Sequence, residues 1–157
     1  MVNKAIKINF CINIFSYVTL AIFTFFIDIA SFSYMHKPFI QLLFCYYLVL
    51  LTKKRSSLLI FFTLVLLAAE SIIFFGQVEY YLFFALLGYI STNLFKELIH
   101  VPIIVPLITL NLTLLVQKLF SIAYLHHPYN DFIYTVGHFS INTLLLLVYW
   151  IFENNGK

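Results

Sequence analysis

The sequence predicts an all-α, polytopic membrane bundle of about six transmembrane helices, and three observations carry that expectation. Hydrophobic residues make up 63% of the chain and charged ones only 10%, against roughly a quarter charged in a soluble domain. Apolar runs recur from one end to the other, at lengths near the ~20 helical residues that cross a ~30 Å hydrocarbon core. The 157 residues then allow six crossings with short connections and no separate soluble domain, so the chain reads as one integral membrane domain, 1–157.

The first span is expected over 8–27, ending at Asp28. Its start, "MVNKAIK", has the positive flank of a signal peptide, but the apolar stretch exceeds the ~7–15 residues of that class and no A-x-A site follows. A retained span is the expectation. The second, 38–51, is short and opens at Pro38, which suits a first helical turn because it has no N–H to leave unpaired. The third, 58–75, has Ser56 or Ser57 placed to cap its start and Gly76 to end it. The fourth covers 80–95, the fifth 103–120 and the sixth 132–152. Pro102 fits the start of the fifth, whereas Pro106 bends it unless it too lies in the opening turn.

Orientation follows from the excess of Lys and Arg in cytoplasmic loops. With both termini cytoplasmic, the inner side holds Lys4, Lys7, Lys53, Lys54, Arg55, Lys96 and Lys157, leaving Lys37 and Lys118 outside. Tyr80, Tyr81, Tyr124 and Tyr129 then fall near the outer boundary and Tyr46, Tyr47, Tyr149 and Trp150 near the inner one, as an aromatic belt requires. The net charge of +3 sits mainly on the inner rim, where anionic lipid headgroups explain it better than nucleic acid.

The polar residues argue against an enzyme. No nucleophile–base arrangement, phosphate loop or metalloprotease motif is present, and no cofactor is implied. Cys11 and Cys45 lie in apolar runs without C-x-x-C or zinc spacing, as buried thiols do. Glu97 and His100, beside Lys96, read as a solvated helix end. His126 and His127 in "LHHPYND" could meet a metal with Asp131 only if a regular element fixed their spacing, so no metal site is expected.

Glu70 is the exception, a carboxylate inside the apolar run "LLIFFTLVLLAAESIIFF". The Leu, Ile, Val and Phe around it contribute about −0.3 to −0.6 kcal/mol each to insertion, more than offsetting a central charge of about 2.5–3.5 kcal/mol. An acid there should face the bundle interior and find a partner. At 1.5 Å per residue, His138 lies at similar depth, with Asn142 one turn further on the same face. Asn111 and Thr24 are further candidates. Two readings stand open: Glu70 and His138 line a ligand or ion site, or Glu70 is a hydrogen-bonded strut between helices. The strut is preferred, because a proton-coupled transporter would show a longer relay.

"KPFIQLLFCYYLVLLTKKRSS" followed by "LLAAESIIFFGQVEYYLFFALLGY" resembles the rod shape-determining MreD family. Pro38 falls at that family's proline, Tyr46 and Tyr47 at its aromatic pair, Lys53 to Arg55 at its basic turn, Gly76 at its glycine and Tyr89 at its closing tyrosine. Glu70 stands where the family usually has Asp, and Phe39 and Ile40 where an acidic residue would follow the proline. The resemblance implies a non-enzymatic, multi-pass component of the bacterial inner membrane, belonging to the cell-shape and elongation machinery. It implies binding to an MreC-like bitopic scaffold, with an MreB-like actin homologue and cell-wall synthases as further partners, in support of peptidoglycan synthesis. A second reading, the substrate-binding S component of an energy-coupling-factor vitamin transporter, shares the six-span size. It would want an Ala-x-x-x-Ala face on the first helix, and Ala5, Ala21 and Ala30 are too widely spaced for one.

Overall fold

Among the described residues, 2–35, 40–53, 55–76, 79–124 and 132–155, the computed structural model is entirely helical. The helices are α1 (Val2–Met35), α2 (Leu42–Thr52), α3 (Ser57–Phe75), α4 (Glu79–Leu98), α5 (Ile104–Tyr124) and α6 (Phe132–Asn155). Three stretches, Ile14–Ser33, Ser57–Phe75 and Thr135–Asn154, are long and apolar enough to cross a membrane. With its 11 residues, α2 rises only ~16 Å, about half of a hydrocarbon core.

That short helix is the axis of the bundle. Residues 42–51 are all buried, and each of the other five helices packs against α2. Around it α1 packs on α3, α3 on α4, α4 on α5 and α5 on α6, whereas among the described residues the α6 and α1 backbones do not come close and Tyr17 bridges them by a hydrogen bond to Glu153. The ring therefore has an open seam.

The ring helices are apolar outside and mixed inside. Thr24 and Asp28 of α1, Thr63, Glu70 and Ser71 of α3, Ser91 and Thr92 of α4, Thr109, Thr113 and Gln117 of α5, and Asn142 and Glu153 of α6 are buried. Phe15, Phe23, Phe26, Phe61, Phe83, Leu94 and Phe152 are exposed. A water-soluble bundle sorts these classes the other way. In lipid the pattern is coherent: tails receive the large apolar side chains, and small or hydroxylated residues let helices approach and hydrogen-bond. Thr63 and Thr113 donate to the carbonyls of Leu59 and Thr109 one turn back, so their hydroxyls add no unpaired donor.

Several expected boundaries hold. Gly76 ends α3 in the left-handed conformation (φ 69°), its N–H donating to the Ile72 carbonyl, and with no side-chain penalty it is the residue suited to that turn. Ser56 takes the N-cap position of α3, although its hydroxyl makes no capping bond. Pro106 lies in the first turn of α5, where its missing N–H leaves nothing unpaired.

Others require correction. α1 does not stop at Asp28 but continues to Met35, because its carboxylate is consumed inside the bundle. α2 begins at Leu42, and Pro38, with Lys37, lies outside the described residues. Tyr46, Tyr47, Tyr81 and Trp150, expected as a lipid-facing belt, are instead buried within the bundle. The Tyr46 hydroxyl donates to the Tyr17 carbonyl and that of Tyr47 to the Ala85 carbonyl, which is how a tyrosine is accommodated in a core. Tyr89 closes no helix, sitting exposed in the middle of α4.

α4 approaches α2 closely at Gly88, where an added Cβ would stand 3.1 Å from Leu48 Cδ2 and 3.5 Å from Phe44 Cζ. Gly88→Leu should therefore wedge the two helices apart and destabilise the bundle by about 1–3 kcal/mol. Thermal unfolding in detergent, followed by circular dichroism, checks this, and an unchanged transition would refute the close packing.

Candidate functional site

A helix N-terminus leaves N–H groups without intrahelical partners, and inside a membrane bundle no water replaces them. The N-cap residue of α2, Gln41, makes no side-chain capping bond. Two other helices supply the caps instead. Asp28 of α1 accepts from Leu42 N–H through Oδ1 (2.9 Å) and from Leu43 N–H through Oδ2 (2.8 Å). Asn142 of α6 accepts from Gln41 N–H through Oδ1 (2.8 Å). The α2 dipole adds a favourable field for the negative charge of Asp28.

Glu70 completes the group. Buried at 2% exposure, it hydrogen-bonds to Asp28, and such a bond between two carboxyls requires one proton. Both Asp28 oxygens already accept amide protons, so Glu70 is the donor and stands as the neutral acid. The Asp28 carboxyl thus faces two N–H groups on one side and Glu70 on the other. Glu70 Oε1 is buried without a hydrogen-bond partner.

The network extends sideways. Gln41 Nε2 donates to Gln117 Oε1 of α5 at 3.0 Å. Asn142 Nδ2 donates to the His138 carbonyl at 2.8 Å, and the Cys45 thiol donates to the Asn142 carbonyl at 3.4 Å. Side chains from α1, α3, α5 and α6 thus converge on one turn of α2.

The far end of α2 is closed by charge. Lys96 Nζ of α4 donates to the Leu51 carbonyl at 2.5 Å, placing a cation at the negative end of the dipole. Nearby, Arg55 Nη2 and Glu153 Oε2 form an ion pair at 2.5 Å, with the Glu153 side chain 4% exposed. Tyr17 hydrogen-bonds to the same carboxylate, while Lys53 donates to Asn154 and lies over the Trp150 ring.

Of the residues singled out in the sequence, Glu70 and Asn142 join the site at the N-terminus of α2. Glu70 and His138 are not brought together: α3 and α6 do not pack on one another, and the partner of Glu70 is Asp28. His138 contributes its backbone carbonyl and sets its ring edge-on to Phe139. Asn111 donates to the Leu107 carbonyl of its own helix and lines a groove of about 460 Å³ with Leu112 and Phe139. Thr24 donates to the Ala21 carbonyl. Cys45 is a buried free thiol; of Cys11 only the helical backbone is described. His126, His127 and Asp131 lie outside the described residues, among which no three His, Cys, Asp or Glu side chains converge to hold a metal ion.

Sequence reasoning missed Asp28, Gln41 and Gln117. The signal was present for Asp28, since Ala21, Thr24 and Asp28 recur on one helical face of a run otherwise rich in Phe and Ile, which is the small and polar stripe of a buried face. Gln41 and Gln117 carried no comparable pattern.

The arrangement can hold a proton between two carboxyls and satisfy a buried helix end. No family model, curated protein or solved structure matches the chain.

The two acids should respond unequally to neutral replacement. Glu70→Gln retains a donor toward Asp28 and should cost under about 1 kcal/mol. Asp28→Asn turns an N–H donor toward one of two amide protons and should cost about 1–3 kcal/mol, with Asp28→Ala costing more. Melting temperatures of the detergent-solubilised variants test the order, and greater loss from Glu70→Gln would assign the capping role wrongly.

Proposed function

We propose that this chain is a non-enzymatic, six-span component of a bacterial inner membrane, with both termini cytoplasmic, acting in an MreD-like role. It binds an MreC-like bitopic protein and, through it, an MreB-like filament and cell-wall synthases. One observation carries the non-enzymatic reading. The bundle axis, where a transported or reacting molecule would be held, is filled by α2, buried through residues 42–51.

The polar groups support the same conclusion. Asp28 and Asn142 spend their hydrogen bonds on α2 and Glu70 bonds to Asp28, so these polar groups belong to the internal framework. The surface left for partners is the exposed Phe, Leu, Ile and Val of the ring helices, suited to lateral contact with a single-span helix. The family assignment itself rests on the resemblance between Pro38 and Tyr89 described above. Cytoplasmic termini are supported by the clustering of Lys53, Arg55 and Lys96 at one end of α2, since positive charge is in excess on the inner side of membrane proteins.

Two measurements test this reading. Tagged protein purified in detergent from its native cells should bring down an MreC-like coiled-coil protein identified by mass spectrometry. A vitamin-sized ligand with an ATPase module in its place would establish the transporter reading. A cysteine at Ser56, exposed at the start of α3, should react with an impermeant maleimide only in inverted vesicles, and labelling of intact cells would reverse the topology.

A further inference from the structure

The seam between α1 and α6 opens onto a cavity of about 570 Å³, within the ~300–1,000 Å³ of small-molecule sites. Its wall is apolar along α1, at Phe15, Leu20 and Phe23, and Phe152 closes it from α6. Phe15 to Phe23 is eight residues of helix, or ~12 Å, so the cavity is an elongated slot. At its base lies Glu153, tied to Arg55.

Charge at that base decides the occupant. Glu153 is neutralised by Arg55, and Lys53 stands beside the same end of α6, donating to Asn154 and stacking on Trp150. Three charged side chains thus sum to one positive charge. The Arg55 side chain remains 31% exposed and lies over the ring of Tyr17, which lines the slot. An apolar slot ending at a net positive, arginine-bearing rim complements an acyl chain continued by a phosphate, which guanidinium groups bind well.

We propose that the seam between α1 and α6 is a binding site for an anionic glycerophospholipid, its acyl chain along Phe15, Leu20 and Phe23 and its phosphate at Arg55 and Lys53. The inference rests on the membrane reading above. A lipid held there fills the space between the α1 and α6 backbones, which Tyr17 and Glu153 bridge at one point.

The single tryptophan, Trp150, shares a face of α6 with Glu153 and reports on the site. The full-length protein in detergent is titrated with brominated phosphatidylglycerol and, separately, with brominated phosphatidylcholine. Phosphatidylglycerol should quench Trp150 at roughly fivefold lower concentration. Lys53→Gln or Arg55→Gln should reduce that preference to within about twofold. Lys53→Gln is the safer variant, because Arg55 also holds Glu153. Thr19→Phe, placed on the slot wall at an exposed position whose hydroxyl bonds only the Phe15 carbonyl of its own helix, should fill the slot and abolish quenching by both lipids.

Equal quenching by the two headgroups, or quenching indifferent to Thr19→Phe, would overturn the lipid site. So would a photo-crosslinker at Phe23 that captures a protein helix from native membranes instead of lipid. Release of the protein from membranes by alkaline carbonate would overturn the membrane reading itself. Retention in the pellet with headgroup-indifferent quenching would overturn the lipid site alone.

Discussion

Everything in this bundle depends on satisfying the N-terminus of one short helix that begins inside the protein. α2 sits at the centre with its N-terminal amides in a dry interior, where an unpaired N–H costs several kcal/mol. Asp28 and Asn142 remove that cost from two sides, and Lys96 does the equivalent for a carbonyl at the other end. Because the caps come from α1, α6 and α4, each also fixes the height of a ring helix relative to the axis. A capping bond within α2 would have satisfied the backbone without locating its neighbours.

The neutral Glu70 follows from the same constraint. With two amide protons facing it, Asp28 does best as an anion; with a second carboxyl beside it, the interior tolerates only one charge between them. Glu70 is therefore needed as a proton donor to Asp28, and its apolar context is no obstacle, since an uncharged acid is far cheaper to bury than an anion. The carboxylate that looked misplaced in the third hydrophobic run is the outer member of a pair whose inner member is engaged with the backbone.

Much of the architecture was legible in the sequence, and the misses have a common cause. Runs of Leu, Ile and Phe marked helices, and Gly76 and Pro106 marked their ends, because these signals are local. Hydropathy alone ended α1 at Asp28, since a charge next to an apolar run usually meets water. Whether it does so depends on a backbone 14 residues away in sequence, which no local pattern records. Tyr46 and Tyr47 were assigned to a membrane boundary for the same reason: their hydroxyls find the carbonyls of Tyr17 and Ala85, in other helices. Pairing Glu70 with His138 relied on depth alone, which leaves the angular order of helices around the axis open, and α2 packs against both α3 and α6.

The bond from Gln41 to Asn142 joins residues separated by 101 positions. At the usual ~5–20 residues per second of synthesis, Asn142 leaves the ribosome on the order of 5–20 s after Gln41. Throughout that interval α2 exists without one of its caps, and for the first 76 positions the Gln117 partner of the Gln41 side chain is missing as well. A short, incompletely capped helix is poorly stable by itself, so α2 cannot reach its final packing until α5 and α6 are made. The sixth helix is thus the one that licenses the second to settle at the centre.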